Sequence, residues 1–177
     1  MTARAPRDGD NAASADLLRQ GVLWLAILGT TGTSLELVLL RHWDNTLELI
    51  PFVALGVLSA AIVLVVWRPS GRRIRVAQVL AASVLVTSAI GVFIHIRANY
   101  ESAPLDFRYT DSWPTTAEPI RWLLAATDTV GPSPTLAPAA IGFVALALLV
   151  ATMRHPMTAQ ADEDPREAKV PSSGSAR

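Results

Sequence analysis

The chain has 177 residues, with fifteen Lys plus Arg against fifteen Asp plus Glu and no cysteine. The balanced charge leaves no basic bias that would point to nucleic acid as a partner, and the missing thiols exclude disulfides, thiolate metal sites and cysteine nucleophiles together. Lys169 is the single lysine among the basic residues, a compositional habit associated with GC-rich bacterial genomes.

Apolar residues are clumped into long runs, where a soluble core would disperse them at helix or strand periods. Four runs approach the roughly 20 apolar residues that cross a bilayer as a helix: 21–40, 49–67, 76–96 and 136–153. A helix in hydrocarbon can be apolar all round because it satisfies its own backbone. Residues 1–18, rich in Ala, Asp and Arg, are expected to form a disordered cytoplasmic tail. Arg4, Arg7 and Arg19 ahead of the first run resemble the start of a secretory signal, but the run is too long and no small-residue cleavage site follows. It is expected to stay as an anchor. Within it, "GTTGTS" at 29–34 follows no strand, so it reads as a helix-packing surface and not a phosphate loop.

The joint between the first two spans, "LELVLLRHWDNTLELIP" at 35–51, carries Glu36, Arg41, His42 and Glu48. Glu36 lies about 6 Å, one turn, below the outer end of its span. An acid at mid-membrane costs about 2.5–3.5 kcal/mol and less near the interface, so Glu36 is expected to face the bundle interior beside Gly29, Gly32 and Thr33. Glu48 falls at the first turn of the second helix, where a carboxylate complements the dipole and can accept from free amides. Trp43 and Trp67 suit interfacial positions at span ends.

"RPSGRRIR" at 68–75 holds Arg68, Arg72, Arg73 and Arg75 with no acid, and the loops on either side are weighted toward acids. Positive loops stay inside. This turn and both termini are therefore expected in the cytoplasm, with the Arg154-His155 pair agreeing. "GRRIR" is in the first place a topology determinant that can also touch anionic headgroups.

On the third span Ser88, Gly91, His95 and Asn99 share one stripe at helical spacing, with Arg97 and Glu101 just beyond. If the first and third helices face each other, Glu36, His42, Glu48, His95 and Glu101 converge at the outer end. Two imidazoles and carboxylates could ligate a divalent ion such as Zn, Fe or Mn. Ser88, Asn99, Arg41 and Arg97 would then act as supporting polar groups. No tight motif such as H-x-x-x-H is present, and a buried acid paired for helix register explains the same residues, so the structural reading is preferred.

The third loop, 97–133, is too long for a bare connection. "PIRWLLAATDTV" places Ile120, Leu123 and Leu124 on one helical face, and it is too short to span. A helix lying in the outer headgroup layer is expected, with Trp113 and Trp122 as anchors. Pro134 and Pro138 suit the first turn of the last span. Residues 157–177 are expected to form a second disordered tail.

The fold class that follows is all-α: a four-helix integral membrane bundle, 19–156, with a short interfacial helix between spans three and four. "GVFIHIRANYE", "LELVLLRHW" and "LAPAAIGFVALALLVATMRHP" together resemble a group of small uncharacterised four-span bacterial membrane proteins. That resemblance implies topology and no activity. With no G-x-S-x-G or H-E-x-x-H in the chain, the expected function is a non-enzymatic bundle in the bacterial plasma membrane that packs on a membrane partner or on itself. The alternatives are a metal or haem site at the outer face and a proton- or ion-coupled component using Glu36.

Overall fold

The computed structural model describes the backbone of residues 8–44 and 46–153, and side chains from residue 13 onward. Every regular element among them is helical. Helix α1 is Asp8–Leu39, α2 Ile50–Val66, α3 Gly71–Ser102, α4 Glu118–Ala126 and α5 Leu136–Thr152, with short 3-10 turns at Thr46–Leu49, Ala103–Leu105 and Trp113–Thr115. Three stretches, Ala13–Leu39, Thr46–Val66 and Gly71–Leu105, are long and apolar enough to cross a membrane, and Leu136–Thr152 is a shorter apolar helix. At 1.5 Å per residue, the 17 residues of α5 reach about 26 Å.

Residues 8–18, expected as a tail, extend α1 instead. Ala, Leu, Arg and Gln in "NAASADLLRQ" are good helix formers, and Arg19 reaches Asp16 one turn back at 2.6 Å. The expected tails at 1–7 and 157–177, and the Arg154-His155 pair, lie outside the described residues.

Helices α1, α2, α3 and α5 pack around one core. Going round the bundle, α5 packs on both α1 and α3, and α2 on α3 and α1. Helices α1 and α3 therefore sit across a diagonal. The core is built from Ala26 and Leu37 of α1, Leu55, Leu58 and Ala61 of α2, Ala77, Ala81 and Val84 of α3, and Ile141, Val144, Ala145 and Leu148 of α5. Among the inward positions of α1, α3 and α5, Ala26, Ala77, Ala81 and Ala145 are small, and this lets the helices approach closely.

Close approach is tightest along α5. A Cβ on Gly29 would stand 2.6 Å from Val144 Cγ2, one on Gly142 3.1 Å from Ser88 Cβ, and one on Gly91 3.1 Å from Pro138 Cβ. Most hydroxyls in the bundle are absorbed by their own helices: Thr30 donates to the Ala26 carbonyl, Ser59 to Leu55 and Thr152 to Leu148, each within 2.9 Å. Such bonds meet the hydrogen-bonding need of a polar group where water is absent. Gln78 Nε2 donates to the Thr152 carbonyl at 2.9 Å and ties α3 to the end of α5.

Three helix ends turn through the left-handed region on residues other than glycine: Arg41 at φ 52°, Arg68 at φ 56° and Asp128 at φ 55°. After α1, the His42 amide donates back to the Leu37 carbonyl at 3.0 Å. After α4, the Thr129 amide donates to Leu124 at 3.0 Å. Both are the six-to-one bond of a Schellman ending, which satisfies a carbonyl the helix leaves open.

Candidate functional site

The polar chemistry collects at one end of the bundle, where α3 runs past the core and the segment 103–135 folds over it. Asn99 is the centre of this cap and is fully buried. Its Nδ2 donates to the carbonyls of Ser133 at 2.8 Å and Ala125 at 3.2 Å and to Asp128 Oδ1 at 3.2 Å, and its Oδ1 accepts from the Ser133 amide at 2.8 Å. One carboxamide thus ties the end of α3 to the turn that launches α5. Asp128 extends the network by accepting the Thr135 amide at 3.1 Å, while the Thr135 hydroxyl donates to Ala126 at 3.2 Å. Gly131, at φ 81°, passes so close that a Cβ there would meet Asn99 Cα at 2.5 Å. Only glycine satisfies both the backbone angle and the space.

Around this hub lies a second core of Ala103, Trp113, Ala125 and Val130, flanked by Ile96, Tyr100, Tyr109 and Leu124. Tyr100 stacks on Trp122 at 4.5 Å between centroids and meets Trp113 edge-on at 5.4 Å. Arg121 lies over Trp113 at 5.9 Å and donates from Nε to the Thr116 carbonyl at 2.9 Å. Arg108 grips Asp106 through Nε at 3.0 Å and Nη2 at 2.6 Å, and the same Nη2 donates to the Thr129 carbonyl at 2.9 Å. The side-chain bonds from Arg108, and the bond from its backbone amide, hold the Asp106 carboxyl below the ordinary carboxylate range.

Trp113 corrects one expectation. It is 5 % exposed and belongs to the cap's own core, so it cannot anchor in headgroups. Trp122 is half-buried in the stack. On α4, Ile120 and Leu123 are exposed, whereas Leu124 turns inward.

The residues expected to converge at the outer end separate as follows. The stripe of α3 does face inward: Ser88 is buried against Gly142, Gly91 meets Pro138, and Asn99 is the hub. His95 lies on the same stripe, and its Nδ1 is buried with no hydrogen-bond partner among the described residues. The face opposite this stripe is α5, and not α1. Glu36 is exposed on α1, with no partner among the described residues. The inward face of α1 runs through Ala26, Thr30 and Leu37, and each residue step turns the helix about 100°, which carries Glu36 out of it. Of the expected small face, Gly29 is in contact with α5 and Gly32 has nothing within 4 Å.

Glu48 accepts the Asp44 amide at 2.8 Å, serving a free amide at the entry to α2. His42 is half-buried beside Trp43, which packs 6.3 Å from Phe52. Arg97 and Glu101 form an exposed pair at 2.7 Å, one turn apart on α3. Arg41 is exposed at the end of α1. Among the described residues, no three of His, Cys, Asp and Glu come together where they could hold a metal ion.

The spacing on α3 marks Asn99 as a supporting polar group but does not show its partners Ala125, Asp128 and Ser133, nor the close approach of Gly131. The turn-rich string "DTVGPSPT" was the available signal, since Asp, Gly and Pro mark backbone that leaves helical angles. No protein-family model, curated protein or solved structure matches the chain.

Proposed function

We propose that this protein is a non-enzymatic integral membrane subunit of four spans, set in a bacterial plasma membrane with the α2–α3 turn and both termini in the cytoplasm. On this reading α4 rests at the outer headgroup layer through Ile120 and Leu123. The cap is a rigid extracytoplasmic cover, and the bundle's work is to dock against another membrane protein or a second copy. The observation that carries the proposal is Glu36: an acid on the outward face of an apolar helix, unpaired among the described residues.

An acid facing hydrocarbon is costly, and the cost is removed when a neighbouring helix brings a hydrogen-bond donor or a cation to it. Exposed Leu25, Leu28, Leu35 and Leu39 continue the same side of α1, and Gly32 leaves it open to close approach. The polar groups at the centre of the cap, Asn99, Asp106, Arg108 and Asp128, are already bonded to one another or to the backbone, which favours a scaffold over a reactive site. Purification in mild detergent tests this. A stable complex or dimer is expected, photocrosslinking from residue 32 or 36 should capture its partner, and Glu36→Leu should weaken it. Recovery of a bare monomer with no crosslink overturns the proposal.

A second reading, a metal-ion site near the outer end, is favoured by the buried, unpartnered Nδ1 of His95. A divalent ion there would need further ligands from outside the described residues. Elemental analysis of the purified protein, with His95→Leu as the control, decides it: stoichiometric metal lost in the variant supports the site, and none in either ends it.

A further inference from the structure

We infer that the turn between α2 and α3 is a binding seat for an anionic phospholipid, with the phosphate held by Arg68 and Arg72 and acyl chain lying in the adjoining apolar grooves. The turn carries four arginines between 68 and 75 and no acid. Two open grooves, of about 420 and 400 Å³, start there and run onto the helix faces. One is bounded by Arg72 and Arg75 at its head and by Val76, Val79 and Leu80 along its wall. The other has Arg68 and Arg73 at its head and Val63, Leu64 and Trp67 along its wall.

Both grooves have the same layout, with cations at the end of the bundle and apolar wall toward its middle. A molecule that fits must carry a negative charge at one end and hydrocarbon behind it, as an anionic lipid does; a free phosphate would leave the walls empty. The arginines are not equivalent. Arg73 Nη1 donates to the carbonyls of Trp67 at 3.1 Å and Arg68 at 3.0 Å, so it caps the end of α2 and sets the shape of the turn. The guanidinium groups of Arg68 and Arg72 lie on exposed residues and have no hydrogen-bond or ion-pair partner among the described residues.

Arg68 also holds the left-handed backbone position at φ 56°, where glycine would be unstrained. The turn keeps a guanidinium at a position where backbone strain argues for its removal. A guanidinium presents paired donors suited to a phosphate, and basic residues beside a span gain most from anionic headgroups. This inference does not depend on what covers Glu36.

Full-length protein in nanodiscs or detergent tests it, using phosphatidylglycerol against phosphatidylcholine of the same chains. Retained lipid is counted by native mass spectrometry, and protection is read from thermal unfolding. Phosphatidylglycerol should be retained preferentially, and Arg68→Gln with Arg72→Gln should reduce that retention about tenfold or more. Arg97→Gln, at the other end of α3, should leave it unchanged. Glycerol phosphate and inorganic phosphate should neither compete nor protect. Equal retention of the two lipids by the unaltered protein overturns the inference even if the double variant fails to fold; equal protection by inorganic phosphate, or an equal effect of Arg97→Gln, overturns it as well.

Discussion

The bundle and the cap solve the same problem, satisfying polar groups away from water, in opposite ways. In the bundle most hydroxyls bond to their own helix, as Thr30 does to Ala26 and Thr152 to Leu148, and the helices are held together by small residues in close contact. In the cap the bonds run between segments: Asn99 of α3 reaches residues 125, 128 and 133. A bundle that satisfies itself locally is tolerant, because losing one hydroxyl orphans nothing on a neighbour. A cap that is satisfied through one side chain is not tolerant, because removing the hub strands several partners together.

The sharpest way to break the comparison is Gly131→Val. It places a Cβ against Asn99 and forces a branched residue to φ 81°, so backbone strain and lost hub bonds add. A loss of about 3 kcal/mol or more is expected. Detergent unfolding followed by the fluorescence of Trp113, with the other tryptophans replaced by phenylalanine, should show the cap opening first. If the cap signal survives unchanged, the hub does not organise it.

A smaller effect is expected from Gly142→Leu, which wedges α5 away from Ser88 and costs about 1–3 kcal/mol as overpacking. Here helicity under titration with a denaturing detergent should fall earlier while the Trp113 signal holds. Simultaneous loss of both would mean that the two regions unfold as one unit.

The smallest expected effect is that of pH. The Asp106 carboxyl has its pKa depressed by Arg108, so the stability it lends is fully present above its unfolded value, near pH 4, and is lost as pH falls through the lower folded value. Unfolding of the cap should therefore be flat from neutral pH to about pH 5 and weaken only on further acidification. Asp106→Asn should remove the part of the acid dependence that this carboxyl causes. An acid dependence unchanged in that variant would assign it to other carboxylates.

How far the candidate site could be read from the chain differs residue by residue. The stripe Ser88, Gly91, His95 and Asn99 was legible, because helical spacing fixes which side chains share a face wherever the helix goes. Glu48 was legible too, since the need for an acceptor at a helix start is local. Glu36 was misread. Its orientation depends on which helix lies beside α1, and that neighbour is α5, more than a hundred residues later in the chain. Trp113 was misread for a similar reason: an aromatic near a span end suits a headgroup layer and a small core equally well, and only the fold of 103–135 chooses.

By itself, then, the sequence determined the helical class, the positions of the apolar rods and the polar composition of their ends, because backbone satisfaction and hydrophobic length act within each segment. Tertiary structure alone decided the order of helices around the bundle, the outward turn of Glu36 and the partners of Asn99. Those depend on contacts between segments distant in the chain, where small residues at Gly29, Gly91 and Gly142 permit one close packing and no local rule specifies which faces meet.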